Sequence, residues 1–205
     1  MQIIDLHSYL IPTKKWVVFI SLFIGYCKDE VMKMKKETLL LIDIQDMYFT
    51  PEANLLYRPR EAAMKAAVLL RKFREEGKTI IHVKHNVKMF SEINKLVEPC
   101  EGEKIITKDY PSAFLGTDLQ EYLKDNGIEK IIVVGMMSHM CVDTTVRACQ
   151  DYGYEVVVIE DACTTKDLIF QGRKIDAILV HAAYMAALDG MFAKVMQLDD
   201  YICYL

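Results

Sequence analysis

Cys141 stands at a point in the chain where a thiol would gain reactivity from its surroundings. It follows the apolar run KIIVVG (130–135) and lies near the start of SHMCVDTTVRACQDYGY (138–154), a segment of helical pattern that stops around Gly153. In the first turn of a helix, unpaired backbone N–H groups and the helix dipole lower the pKa of a thiol and can hold an oxyanion. Buried free cysteines are also common as small apolar residues, so the spacing leaves a core role open beside the nucleophilic one.

Two ionisable residues end other apolar runs of the chain. Asp43 closes TLLLID (38–43), and Lys108 follows KIIT (104–107). A carboxylate at the end of a buried strand must be paired or hydrogen-bonded, so Asp43 is either a structural cap or a base that takes the proton of a thiol. Lys108 is either a solvated surface residue or a cation that favours the negative forms of Asp43 and Cys141.

Short apolar runs alternate with helical patterns from Thr38 onward, and this alternation predicts the fold class. We expect an α/β protein, a three-layer α/β/α sandwich with a central, mostly parallel six-stranded sheet of Rossmann-like type. In such sheets, sites form beyond the carboxyl ends of the strands where the strand order reverses. The expected strands are 38–43, 79–85, 104–107, 130–135, 155–161 and 193–198, and the expected helices lie within 58–78, 116–127, 138–154 and 173–190.

The composition narrows the classes of protein that remain. The chain has 205 residues and a formal net charge of -4, which predicts one main domain without a basic surface for nucleic acid. Its six cysteines form no CxxC pair and no zinc-type Cys/His spacing, so we expect reduced thiols in a cytoplasmic protein. The first strand leads into IDIQDMYF (42–49) without GxGxxG, which argues against a nucleotide-binding Rossmann domain.

The segment KKWVVFISLFIGYCKDE (14–30) has a different character from the rest. Its apolar run is shorter than the ~20 residues that span a bilayer, and no A-x-A-like cleavage site follows it. We therefore favour an extension upstream of a natural start at Met32 or Met34 over a signal-peptide core, and expect no membrane association. Residues 1–33 are assigned to this extension and residues 34–205 to the domain.

Three stretches of the sequence resemble, in order and spacing, the isochorismatase-like cysteine hydrolase family, which includes nicotinamidase and N-carbamoylsarcosine amidohydrolase. They are LLLIDIQDMYF (39–49), TKDYPSAFLGTDLQEYL (107–123) and IIVVGMMSHMCVDTTVRACQDYGYEVVVIEDACTT (131–165). The resemblance extends from about Thr38 to Tyr201. It implies the same three-layer fold and a hydrolase of small molecules.

The resemblance also implies roles for individual residues. Asp43, Lys108 and Cys141 correspond to a catalytic triad in which Asp43 accepts the thiol proton, Lys108 holds the carboxylate and thiolate, and Cys141 attacks the substrate carbonyl. A cis peptide bond is implied at Met136–Met137, where the N–H groups of Met137 and Cys141 would form the oxyanion hole. The expected reaction is hydrolysis of a C–N amide or ureido bond through a covalent acyl-enzyme. The alternatives are vinyl-ether hydrolysis, as in isochorismatase itself, and a catalytically silent binding or oligomerisation module.

One region departs from the nicotinamidase pattern, in which an Asp and two His downstream of the second strand hold a metal. The corresponding segment is IHVKHNVKMFSEINKL (81–96), with His82 and His85 and no Asp between them. Histidines three apart on a strand point to opposite faces, so shared ligation is awkward. We expect His85 at the pocket mouth, His82 packed or half exposed, no metal or other cofactor, and a substrate other than nicotinamide.

The substrate pocket is harder to place from sequence. Aromatic residues near the expected site could sandwich a planar substrate or serve the core, and a histidine beside the thiol could polarise the pocket or face solvent. The expected pocket residues are Gln45, Phe49, His85, Phe114 and His139. The Ala-rich last helix around His181 suits close packing of helices across an interface, so we expect a homo-oligomer, a dimer or a tetramer.

Overall fold

The computed structural model describes residues 35–204. In chain order, the elements are β1 (Glu37–Ile42), α1 (Pro59–Glu75), β2 (Thr79–His85), β3 (Lys104–Lys108), α2 (Leu119–Asp125), β4 (Lys130–Met136), α3 (Asp143–Asp151), β5 (Glu155–Thr164), β6 (Leu168–Phe170), β7 (Arg173–Ile175), α4 (Ala177–Leu188), β8 (Lys194–Met196) and α5 (Leu198–Tyr204). Short 3₁₀ turns cover Asp46–Tyr48 and Lys95–Val97, and a π-helical turn covers Ser138–Val142.

Six strands form one parallel sheet in the order β3-β2-β1-β4-β5-β8. The predicted fold class, a three-layer α/β/α sandwich around a six-stranded sheet, is confirmed. The chain moves outward in one direction from β1 to β3 and then crosses back to β4 on the other side of β1. The carboxyl ends of β1 and β4 are therefore neighbours at the point where the strand order reverses, which is the usual position of a site in this class of sheet.

The two faces of the sheet are covered by separate apolar clusters, and alternate residues of β1 supply both. Leu39 and Leu41 pack on the side of α1, whose stripe includes Phe73, whereas Leu40 and Ile42 pack on the side of α2 and α3. Burying a leucine or isoleucine side chain contributes about 1.5–3 kcal/mol. A strand that is apolar on both faces is thereby held firmly, and the residue that follows it has a fixed position.

Two elements differ from the expectations. The helix expected within 173–190 begins only at Ala177, because Arg173–Ile175 form strand β7, which pairs antiparallel with β6. The hairpin turn consists of Gln171 at φ 49° and Gly172 at φ 73°, both left-handed, as the tight two-residue turns between antiparallel strands require. The short helix α5 was not expected at all.

The N-terminal extension assigned to residues 1–33 lies outside the described residues, and its boundary with the domain stays a prediction. Within residues 35–204, the structure contains no helix with the length and apolar character needed to cross a bilayer.

Candidate active site

Three strand ends bring the predicted triad together in the interior of the protein. Asp43 directly follows β1, Lys108 is the last residue of β3, and Cys141 lies in the π-helical turn after β4. Asp43 is 0% exposed, Lys108 1% and Cys141 4%. Charged groups this deeply buried are tolerated only when they are paired, so the position of each of these side chains depends on the others.

The ammonium group of Lys108 is the centre of the cluster. Its Nζ lies 2.7 Å from Asp43 Oδ2 and donates a hydrogen bond to Cys141 Sγ at 3.2 Å. It also lies 3.0 Å from His85 Nδ1 and 3.1 Å from the carbonyl oxygen of Tyr110. An ammonium group has three N–H donors for these four acceptors, so it can follow negative charge from one partner to another.

The backbone fixes Asp43 in an uncommon conformation. Its φ of 50° is left-handed, a region that few residues other than glycine adopt and that costs about 1–3 kcal/mol. The Asp43 N–H still donates to the carbonyl of Val83 at 2.9 Å, and its carbonyl accepts from the N–H of Gln45 at 2.9 Å. The side chain is therefore held at the strand end from both sides.

The carboxylate of Asp43 retains capacity to accept a proton. Its contact with Lys108 is a close ion pair, but neither carboxylate oxygen receives a well-directed hydrogen bond from the residues described. Burial raises the pKa of Asp43, and the charge of Lys108 and the contact with Cys141 oppose that rise. A buried carboxylate with a raised pKa beside a thiol is suited to act as a general base.

The electrostatics of Cys141 differ from the sequence-based expectation of a lowered pKa. Burial, followed by the negative charge of Asp43, raises the pKa of the Cys141 thiol to about 12, although Lys108 works in the opposite direction. The difference arises because the expected effect of the helix start takes no account of burial, which is the largest cause, or of the charge of the neighbouring carboxylate. At neutral pH Cys141 therefore rests as a thiol.

The turn before the thiol has a defined geometry. The Met136–Met137 peptide bond, where the family resemblance implies a cis bond, is cis. The Met137 carbonyl accepts from the N–H groups of Met140 at 3.0 Å and Val142 at 3.3 Å. The assignment of an oxyanion hole to the N–H groups of Met137 and Cys141 stays a prediction.

Of the predicted pocket residues, His85 joins the cluster and Gln45 supports it. The Gln45 amide nitrogen donates to the carbonyls of His85 at 3.0 Å and Ser91 at 2.7 Å, and its oxygen accepts from the His85 N–H at 2.8 Å. Because these contacts engage both ends of the amide, Gln45 fixes the backbone of His85 rather than offering a free group to a ligand. The predicted pocket role of Gln45 is corrected accordingly.

The remaining pocket residues contact other parts of the protein. Phe49 packs against the apolar cluster on the α1 side. Phe114 belongs to the same apolar cluster as Cys141, and its ring centroid lies 4.9 Å from that of Tyr152. His139 hydrogen-bonds through Nδ1 to the hydroxyl of Thr165. The pocket roles of these three residues stay predictions.

The cluster also contains a set of atoms that could ligate a metal. One ligand atom each of Asp43, His85 and Cys141 lies within 4.8 Å of the others. Lys108 Nζ, however, is within 2.7–3.2 Å of atoms of the same three side chains. A zinc ion needs ligands at about 2.0–2.3 Å and would have to displace this buried cation. The residues present do not fit a metal while Lys108 keeps its position.

His82 lies apart from the cluster. Of the two expected alternatives, packed or half exposed, the structure shows the packed one. It is 1% exposed, and its Nε2 is 2.9 Å from Glu103 Oε2. Sequence reasoning missed two other contacts of the site, the carbonyl of Tyr110 on Lys108 and the hydrogen bond of 2.7 Å between Ser138 Oγ and His181 Nδ1. Neither had a signal in the sequence, because one partner is a backbone atom and the other pair is 43 residues apart.

Comparison with known proteins places the chain among relatives of the same architecture. The Isochorismatase domain model matches residues 37–200. The isochorismatase family protein YddQ of Bacillus subtilis is 41% identical over 175 residues, which cover 80% of this chain and 97% of YddQ. The secreted isochorismatase effector Isc1 of Verticillium dahliae is 34% identical, with 79% of this chain and 88% of Isc1 covered.

A solved structure agrees with these sequence matches. The crystal structure of an isochorismatase from Pseudomonas putida superposes with a TM-score of 0.78 at 35% identity, covering 87% of this chain and 97% of that one. Residues 37–200, which the domain model matches, contain all the strands of the six-stranded sheet and the three residues of the cluster. The chain belongs to the isochorismatase family of hydrolases.

Proposed function

We propose that the protein is a cysteine-dependent hydrolase that cleaves a C–N amide or ureido bond of a small molecule through a covalent acyl-enzyme. The observation that carries this proposal is the buried contact of one ammonium group with a carboxylate at 2.7 Å and a thiol at 3.2 Å. A nucleophile, a base and a cation that orients both are the groups that acyl transfer requires.

In the first half of the reaction, Cys141 Sγ attacks the substrate carbonyl carbon while its proton passes to Asp43. A tetrahedral oxyanion forms and then collapses. The C–N bond breaks as Asp43 returns the proton to the leaving nitrogen, and a thioester remains on Cys141. The high pKa of the resting thiol means that attack and proton transfer to Asp43 proceed together.

In the second half, water attacks the thioester carbonyl and gives a proton to Asp43. The C–S bond breaks, the proton returns to sulfur, and the product leaves as a carboxylic or carbamic acid. Lys108 accompanies both halves, because its N–H donors can follow the negative charge between Asp43 and the sulfur. These steps use no group other than the three side chains, the turn and water.

Named relatives support the C–N bond as the target. Over 153 residues, the chain is 27% identical to a maleamate amidohydrolase of Pseudomonas putida, and over 146 residues it is 27% identical to a streptothricin hydrolase of Streptomyces noursei. Vinyl-ether cleavage does not need a nucleophilic thiol, so the contact of Cys141 with Lys108 favours amide hydrolysis over vinyl-ether cleavage.

The proposal is tested by screening small amides, ureides and carbamoyl compounds for ammonia or amine release. The wild type is compared with Cys141→Ala, and intact-protein mass spectrometry detects the acyl-enzyme during turnover. We expect turnover of at least one compound, an adduct on Cys141, and a loss of activity in Cys141→Ala with the fold retained by circular dichroism.

Two results would contradict the proposal. Full turnover by Cys141→Ala would favour vinyl-ether hydrolysis, and a lack of any adduct or turnover across the panel would favour a silent binding module.

We also propose the cytoplasm as the location, on the support of the described cysteines, all of which are free.

A further inference from the structure

His85 forms a contact with the catalytic cluster that the proposed mechanism does not use. His85 and Lys108 are register partners at the ends of the parallel strands β2 and β3. Their side chains meet with Lys108 Nζ 3.0 Å from His85 Nδ1. The backbone of His85 is clamped by both ends of the Gln45 amide, as described above, so the ring is fixed both at its base and at Nδ1.

The contact with Lys108 determines where the proton of His85 lies. An ammonium group has only donors, so Nδ1 of His85 must be the acceptor. An imidazole with an accepting Nδ1 is neutral and carries its hydrogen on Nε2. The Nε2 atom of His85 makes no hydrogen bond to the described residues, and it is not buried. The Nε2–H group is thus an exposed donor without a partner beside the triad.

The charged surroundings of His85 support the neutral form. The ring is faced by Lys108 at the end of β3, Asp109 directly after it, Asp43 after β1 and the thiol of Cys141. Burial is the main cause that lowers the pKa of His85, and Lys108 adds to it, while Asp43 and Asp109 oppose the effect. A protonated ring would place an N–H of His85 against the ammonium group at 3.0 Å and break the contact.

We propose that His85 is a further residue of the substrate site, which accepts a hydrogen bond from Lys108 at Nδ1 and donates its Nε2–H to an oxygen of the substrate. This inference deepens the proposed function. It assigns as substrates amides or ureides that carry a second acceptor oxygen, a carbonyl or a carboxylate, close to the scissile bond. His85 is also a positioning residue, since it holds one of the donors of Lys108.

The two functions of the ring can be separated by a matched pair of variants. In His85→Asn, the amide oxygen can replace Nδ1 as the acceptor for Lys108, but nothing replaces Nε2–H. In His85→Gln, the longer amide can replace the Nε2–H donor, but nothing replaces the Nδ1 acceptor. We expect His85→Asn to lose mainly in KM, about tenfold, and His85→Gln to lose mainly in kcat. Equal losses in both parameters for the two variants would overturn the proposal.

The protonation state is tested without turnover, by ¹⁵N NMR of protein labelled at histidine. The signal of His85 is identified by its absence in His85→Asn. We expect a neutral ring with hydrogen on Nε2 at pH 7, and a charged ring or hydrogen on Nδ1 would overturn the inference. This result holds whether or not any amide is hydrolysed, so its failure is distinguishable from failure of the proposed hydrolase function.

Discussion

Gly135 of β4 lies directly beside Ile42 of β1, close to the ends of the two strands that Asp43 and the turn of Cys141 follow. A Cβ atom on Gly135 would be 2.0 Å from the carbonyl oxygen of Ile42 and 2.8 Å from its carbonyl carbon and amide nitrogen. Backbone atoms cannot rotate away as a side chain would. The close approach of β1 and β4 therefore requires glycine, and it also sets the distance between Asp43 and the turn that carries Cys141.

We predict that Gly135→Ala will destabilise the protein by about 3 kcal/mol or more, since overpacking alone costs about 1–3 kcal/mol and the φ of 136° adds strain. Residual activity should fall further than the folded fraction does, because the strands that hold the triad must separate. Urea unfolding followed by circular dichroism, together with activity per folded molecule, measures both effects.

Gly153→Ala is the matched control for this experiment. Gly153 also has a left-handed φ, 83°, but nothing lies within 4 Å of the position of its Cβ. Gly153→Ala should be destabilised only by the ~1–2 kcal/mol that an alanine in the left-handed region costs, and it should keep its activity. Equal destabilisation by the two substitutions would contradict the close-approach explanation.

Lys108→Met is predicted to remove activity and to destabilise the fold. Methionine approximates the length of the side chain but leaves Asp43 buried without its cation, and breaking a buried ion pair from one side costs about 3–5 kcal/mol. The double variant Asp43→Asn/Lys108→Met removes both charges. It should recover much of the stability of the single variant while remaining inactive.

Urea unfolding of the wild type, the two single variants and the double variant completes the cycle. A double variant as unstable as the sum of the single ones would show that the contact between Asp43 and Lys108 contributes nothing to stability. Activity that survives Lys108→Met would remove Lys108 from the mechanism.

The fold and the triad could be predicted because each depends on a local pattern. Apolar runs such as 38–43 and 130–135 identify buried strands, and the residues that follow them meet at one edge of a parallel sheet. The family resemblance then favoured catalytic over structural roles for Asp43 and Lys108, which the spacing had left open, and these roles stay predictions.

The parts that sequence reasoning missed depend on tertiary contacts. The raised pKa of Cys141 results from burial beside Asp43, which is 98 residues away in the sequence. The Gln45 amide bonds to backbone atoms, which leave no trace in residue types. Residues 173–175 resemble the start of the helix that follows them until the pairing of β6 and β7 is known.

Acid is predicted to destabilise the protein from about pH 6.5 downward. Burial lowers the pKa of each described histidine, including His82 and His181. The unfolded chain therefore binds protons that the folded one does not, so the stability present above the unfolded pKa is lost as the pH falls. A second loss of stability begins near pH 4.5, where Glu103 becomes protonated in the unfolded chain but not in the folded one. Burial alone would raise the pKa of Glu103, but hydrogen bonds from Arg74, the Cys100 N–H and His82 lower it to about 2.

The measurement is urea unfolding at several pH values and constant ionic strength. His82→Gln cannot titrate and should reduce the slope between pH 5 and 6.5 by up to about 1.4 kcal/mol per pH unit, the limit for one proton. A stability that is flat or rises on acidification in this window would contradict the histidine assignment.

The expected homo-oligomer has a candidate surface in α4 and the β6–β7 hairpin. Ile169, Phe170 and Leu179 are 78%, 66% and 62% exposed, and α4 is apolar on nearly all sides, as helices that become covered usually are. We predict that the double variant Phe170→Asp/Leu179→Asp will have a lower sedimentation coefficient than the wild type, because the oligomer dissociates. Met89→Asp, at a side chain 67% exposed elsewhere, is the control and should leave it unchanged. A wild type that sediments as a monomer would refute the expectation.

Asp43→Asn is predicted to move thiol reactivity and catalysis in opposite directions. The negative charge of Asp43 is one cause that raises the pKa of Cys141 to about 12, so its removal lets the neighbouring Lys108 stabilise a thiolate. A charge at this range shifts a pKa by about 1–3 units, so alkylation of Cys141 by iodoacetamide at pH 8–9 should accelerate at least about tenfold. Turnover should fall about 10²–10⁴-fold, because the group that accepts and returns the proton is lost.

Peptide mass mapping follows alkylation at each cysteine, with exposed Cys100 as the internal reference and Cys141→Ala as the blank. In the wild type at pH 7, Cys141 should react more slowly than Cys100, since its thiol is protonated and buried. If the helix start already held Cys141 as a thiolate, Cys141 would be the cysteine alkylated fastest in the wild type. Its rate of alkylation in Asp43→Asn would then be unchanged or lower. Faster alkylation combined with slower turnover in Asp43→Asn therefore distinguishes proton transfer to Asp43 from a preformed thiolate.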